Sequence, residues 1–202
     1  ENKQKGIQMD KNNYEYNTFE NIILENACLE DFTFADCDFL NCKISSCSII
    51  RCSFSNCRFY GCTVTSLSAK YSQSRFSQFT DCRLVNIQWH ELLPSGKLSE
   101  PISKINRCLL KYNAFTGINF RKFDFSGSEI ISSIFGECHL NESLFKSCRL
   151  DGTEFYSCDL RKSDFREASG YNIDIFSNNL KGARFSFPEA VRLLDGLGIK
   201  IE

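Results

Sequence analysis

Little in this chain serves catalysis or membrane insertion. Its 202 residues include three prolines, one methionine, one tryptophan and two histidines, His90 and His139. No G-x-S-x-G, P-loop, H-E-x-x-H or dinucleotide fingerprint occurs, so no enzymatic activity, metal or cofactor is expected. No run of about 18 apolar residues is present, which argues against a spanning helix. Neither charge sign dominates, with 24 Lys and Arg against 25 Asp and Glu, and this disfavours direct DNA binding. Residues 1–13 are polar, without the apolar stretch of a secretory leader, so a cytoplasmic location is expected.

What the chain has is a five-residue beat. Every fifth residue from Tyr14 reads Phe19, Leu24, Leu29, Phe34, Phe39, Ile44, Ile49, Phe54, Phe59 and Val64. After Ala69 and Ser74 the series resumes at Phe79, Leu84 and Trp89. A second series runs from Ile105 through Leu110, Phe115, Phe120, Phe125 and onward to Phe165, then through Gly170 and Ile175 to Leu180 and Phe185. Of the 19 phenylalanines, 14 fall on the beat, too many for composition alone to produce. A fixed period sustained over this length marks a solenoid.

Five residues suit neither ordinary element. A helix would place successive beats about 140° apart around its axis, and a strand would throw alternate ones into water. Turning one corner per pentapeptide points every beat inward, and Ser, Asn, Asp and Gly in the gaps tolerate such corners. A spacing of twenty collects like with like: Phe19, Phe39, Phe59 and Phe79, then Phe125, Phe145, Phe165 and Phe185. Fifteen mixes classes. The expectation is an all-β solenoid, a quadrilateral β-helix of about eight four-sided coils. At about 4.8 Å per coil the rod is about 38 Å long.

Eleven of the twelve cysteines stand two residues before a beat, the small inward slot, where a thiol is a compact hydrophobe. Cys42, Cys62 and Cys82 share a column, but parallel Cβ directions oppose a disulfide. The Cys-x4-Cys spacing also places successive thiols on different walls, unlike a zinc pair. Reduced core thiols are expected.

In this repeat the chain resembles the pentapeptide-repeat proteins over about residues 14–185, which implies a right-handed coil. Within that family, 159–186 (DLRKSDFREASGYNIDIFSNNLKGARFS), 190–202 (AVRLLDGLGIKIE) and the cysteine-rich 35–62 are similar to the Qnr-type quinolone-resistance and McbG-type microcin-immunity proteins. That resemblance implies a non-enzymatic protein that binds DNA gyrase or topoisomerase IV. It would act partly by imitating DNA and would change the enzyme's response to quinolones or a gyrase poison. It also implies a homodimer joined through the C-terminus. A scaffolding solenoid with an unrelated protein partner is the alternative.

The parts that depart from the beat carry the candidate sites. Trp89 to Ile105 spans 16 residues, so the register slips by one across 90–104, between coils at 14–89 and 105–185. A projecting loop explains the slip. It is either a tolerated insertion or a partner contact through His90, Glu91, Leu92, Leu93, Pro94, Lys97 and Leu98. Residues 186–202 leave the beat. Ser186, Pro188 and Glu189 read as a capping box opening a short helix, and 199–201 reads as a strand. Phe187, Val191, Leu194, Leu197, Ile199 and Ile201 form the expected dimer interface. Residues 1–38 carry nine acids and three bases, and 39–104 three acids and eight bases. Glu15, Glu20, Glu25 and Glu30 ring the first coil as an acidic surface, while the basic middle opposes uniform DNA mimicry.

Overall fold

The computed structural model describes residues 12–93 and 100–197. Parallel strands usually need a crossover of a dozen or more residues. Here three-residue strands such as Thr18–Glu20, Ile23–Glu25 and Cys28–Glu30 are joined by two-residue corners, and the chain returns to the same wall after twenty. Phe19 pairs with Phe39, Phe39 with Phe59, and Phe59 with Phe79, all parallel. Leu24, Ile44, Val64 and Leu84 repeat this on the next wall. The walls are called first to fourth after Tyr14, Phe19, Leu24 and Leu29. The result is a parallel β-solenoid of about 8 turns.

Each corner forces one residue into the left-handed region. Asn21, Asn26, Asp31, Asp36, Asn41 and Asn56 have φ between 51° and 62°. Short polar side chains tolerate that region better than most. Corner amides are satisfied by the next coil: Asn21 N–H donates to Leu40 O at 2.9 Å, and Asn41 N–H to Tyr60 O at 2.8 Å.

The interior is a set of ring columns. Phe19, Phe39, Phe59 and Phe79 stack with centroids 5.0, 4.7 and 4.8 Å apart. Phe125, Phe145, Phe165 and Phe185 follow at 4.8, 4.7 and 5.2 Å. Ile105 takes the place in this column opposite Phe79. Rings on adjacent walls meet edge to face, as Phe145 and Phe155 do at 5.5 Å, a favoured aromatic geometry.

The small slot proves to be more than small. The thiols of Cys42, Cys62 and Cys82 donate to the carbonyls of Phe19, Phe39 and Phe59 at 3.4, 3.2 and 3.4 Å. Thr153 Oγ1 does the same to Ile130 O at 2.6 Å, and Asn178 Nδ2 to Phe155 O at 2.7 Å. The slot selects a compact side chain with a donor that reaches one coil back. All twelve cysteines are free, eleven of them buried.

Two irregularities differ from the sequence reading. Leu84 pairs with Leu110, and Trp89 stacks on Phe115, so one coil uses twenty-six residues where the others use twenty. The departure is also narrower than 90–104. Trp89–Leu92 forms a 3₁₀ helix, and Trp89, Leu92 and Ile102 lie in the core. Trp89 follows Ala69 by one coil on the fourth wall, so a large ring compensates for a weak beat. Second, the last coil runs two residues early on the fourth wall, where Ile173, not Ile175, pairs with Phe155, and the spacing of twenty returns at Asn179 opposite Asp159. Tyr171 and Ile173 are buried there, and Ile175 is only half-buried. Gly170 makes this possible. Its φ is 73°, and a Cβ there would stand 2.9 Å from the Asp151 backbone.

Candidate functional surface

With the interior filled, the sequence-derived sites are surfaces, and the structure treats them differently. Glu15, Glu20, Glu25 and Glu30 are all exposed on successive walls of the first coil. The basic middle coils lie directly against them. Lys43 Nζ is 2.9 Å from Glu25, and Arg51 holds both Glu30 and Asp31. Arg58 grips Asp38 in the same coil-to-coil fashion. Only Glu15 and Glu20 of the ring lack an ion-pair partner among the described residues. Exposed pairs of this kind contribute little each, but they cancel much of the first coil's negative field.

Where the candidate contact loop is described, exposed and buried residues are interspersed. Leu92 is 4% exposed, and Leu93 packs half-buried against the interior. His90 and Glu91 face solvent, and Glu91 Oε2 accepts the Ala69 N–H at 3.2 Å. Leu92 is thus taken up by packing, lining the apolar cavity of the first coils, and Leu93 keeps part of its surface open to solvent. Pro94, Lys97 and Leu98 lie outside the described residues.

At the C-terminus the helix runs Glu189–Leu197 as 3₁₀ rather than α. The capping box does not form. Ser186 Oγ instead accepts the Glu167 N–H at 3.1 Å, and Glu189 Oε1 accepts the Gly170 N–H at 2.9 Å. Both side chains reach back to the preceding coil, whose upward amides need partners more than the helix start does. Phe187 is 85% exposed, and Leu197 is also exposed. Val191 and Leu194 are half-buried, and Ile199 and Ile201 lie outside the described residues.

The second half holds a feature the sequence reading missed. Between Leu109 and Arg184 ten bases balance ten acids. Sorted by wall they separate. Arg121, Lys122, Lys146, Arg161, Lys162, Arg166, Lys181 and Arg184 lie on the first and second walls and their corners. With them are five acids: Asp124, Glu142, Asp159, Asp164 and Glu167. The third and fourth walls carry Lys111 and Arg149 against Glu129, Glu137, Asp151, Glu154 and Asp174. One side is +3 and the other −3. Reading the charges at a spacing of twenty would have revealed it.

Residues 135–166 match the family model for pentapeptide repeats, eight copies. This segment of the chain carries pentapeptide repeats. No curated protein matches it in sequence. Among solved structures, a trypsin-treated variant of QnrB1, described as a plasmid-mediated fluoroquinolone resistance protein, is 17% identical. The match covers 91% of this chain and 99% of that one with a TM-score of 0.49. Full-length QnrB1 is 18% identical over 93% and 100% of the two chains, TM-score 0.38. HetL from the cyanobacterium Nostoc, described as involved in regulating heterocyst differentiation, is 13% identical over 86% and 87%, TM-score 0.37.

The titratable groups of this rod are mostly structural. Burial pushes the Cys57 and Cys148 thiols up to about 12, which leaves them protonated and unreactive. His90 sits on the 3₁₀ helix at the fourth wall, and His139 lies on the first wall between Asn119 and Asp159. Among the described residues no three His, Cys, Asp or Glu converge as a metal site, and no helix is long and apolar enough to cross a membrane.

Asp164 is the exception among the carboxylates. It is buried, and hydrogen bonds from Arg166 hold its pKa down to about 2, below the ordinary 3.8. A depressed carboxylate stabilises the fold above its unfolded pKa and loses that effect as pH falls through its folded one. The contribution, roughly 2 kcal/mol, should be complete above about pH 4 and vanish toward pH 2. Denaturant midpoints of the protein and of Asp164→Asn should therefore differ at pH 7 and converge near pH 2. An unchanged gap would show that Asp164 stays charged or matters little.

Proposed function

We propose that this pentapeptide-repeat protein binds a type II topoisomerase, DNA gyrase or topoisomerase IV, and alters its response to quinolones. The observation that carries the reading is the one-sided charge of the second half. A rod about 38 Å long spans roughly one turn of duplex DNA, about 34 Å. Its third and fourth walls present Glu129, Glu137, Asp151, Glu154 and Asp174, a net negative strip on one side rather than a uniform coat. Such a strip steers association with a surface built for DNA, with strong salt dependence. The similarity of 159–186 to Qnr-type sequences supports the same reading. A second copy joins at the C-terminal end through Phe187, Val191, Leu194 and Leu197, where apolar side chains exceed what one cap needs.

The test is a supercoiling and quinolone-cleavage assay with purified gyrase. The intact protein should shift one or both activities. Glu137→Lys with Glu154→Lys should abolish the shift while leaving the β-rich spectrum intact, and added salt should weaken the wild-type effect, since exposed charges are screened beyond about 10 Å at 0.1 M. If a large molar excess of folded protein leaves both activities untouched, the reading falls and a scaffold with another partner replaces it.

A further inference from the structure

The basic side of the rod has one point where its cations converge. Asp164 is 3% exposed and sits on the second wall between Leu144 and Arg184. Arg166 grips it through Nε at 2.9 Å and Nη2 at 2.7 Å. Lys146 Nζ lies 3.6 Å and Arg184 Nη1 3.9 Å from the same Oδ2. Those two distances are longer than hydrogen bonds, so the Lys146 and Arg184 donors are held close without being used on Asp164. Three cations thus meet one buried carboxylate, an excess of positive charge at this point of the surface. Asp124 Oδ1 accepts the Ser126 N–H and Glu167 Oε2 the Ser147 hydroxyl, both neutral donors, so the two acids keep their charge and Glu167 acts on Arg166 through space.

We propose that Lys146, Arg166 and Arg184 form a binding site for a doubly charged phosphate group, free or as a monoester. The chemistry selects that class. The Arg184 guanidinium can meet phosphate oxygens as a planar fork and Lys146 adds a point charge, while Arg166, whose Nε and Nη2 are held by Asp164, adds its charge and its remaining donors. A phosphate dianion is drawn to the three cations more strongly than a nucleic-acid phosphodiester, which carries one charge. Asp164 pre-orients the Arg166 guanidinium, so binding orders little that is not already ordered. The site lies on the opposite side from the acidic strip and does not depend on the topoisomerase reading.

Titration calorimetry of the intact protein with inorganic phosphate, at constant ionic strength set by chloride, tests the site. Saturable binding of one phosphate per chain is expected, and phenyl phosphate should bind comparably. Lys146→Gln with Arg184→Gln should weaken both by about tenfold or more. That double variant keeps the Arg166–Asp164 pair, and its folding is checked by circular dichroism. Arg75→Gln, an exposed cation on a distant coil, should change affinity less than about twofold. Absence of saturable binding overturns the proposal. So does an undiminished affinity in the double variant, an equal loss in Arg75→Gln, or binding of a short DNA duplex without binding of phosphate.

Discussion

Replacing Phe145 with Asp should leave a chain with no cooperative unfolding transition at 25 °C. Phe145 is fully buried between Phe125 and Phe165, with centroids 4.8 and 4.7 Å away, and meets Phe135 and Phe155 edge to face. No donor in that column could pair with a carboxylate, and burying an uncompensated charge costs more than most domains possess, about 5–15 kcal/mol. Changing the outward Arg58 to Gln should cost within about 0.5 kcal/mol, because its pair with Asp38 is solvent-exposed. Far-UV circular dichroism and a denaturant titration distinguish the two. Comparable losses at both positions would mean that the walls are not oriented as described.

The second large effect belongs to Trp89→Ala. Trp89 is 2% exposed, stacks on Phe115 at 6.0 Å and meets Phe79 edge to face at 5.5 Å. Its indole N–H donates to Asn113 Oδ1 at 3.2 Å, while Asn113 Nδ2 donates to Leu84 O at 2.9 Å. It also borders an apolar cavity of about 80 Å³ along the axis of the first coils. Truncation would enlarge that void at the coil that uses twenty-six residues. Large-to-small changes of this kind cost about 3–5 kcal/mol, and the melting temperature should fall by roughly 6–20 °C. Because a solenoid is held coil to coil, the loss should fall on the junction between the two halves, and melting should broaden or split. A variant that melts within about 2 °C of the parent would show that the 3₁₀ segment is not part of the core.

Much of this was legible in the sequence because a corner every five residues leaves no freedom about which side chains face inward. The beat alone assigned Phe19 through Phe185 to columns, gave four walls from the spacing of twenty, and placed eleven thiols inside. It could not say why those slots favour Cys, Thr and Asn. The reason is a hydrogen bond to a carbonyl on the preceding coil, a contact 23 residues away in most coils that exists only once the coils stack. Ser186 and Glu189 were misread for a related reason. Their local spacing fits a capping box, but the open amides of Glu167 and Gly170 on the previous coil compete for the same oxygens.

The sequence by itself determined the period, the inward set and hence the solenoid, since these follow from local geometry repeated without change. Tertiary structure decided what happens where the repeat fails. Leu92 and Trp89 turn inward because Ala69 and Ser74 leave volume to fill, and Tyr171 and Ile173 displace Ile175 because Gly170 lets the chain pass close to Asp151. It also decided which charges meet: a second half balanced in composition gained a negative side and a positive side, because stacking at twenty residues brings together on one wall charges that are far apart along the chain.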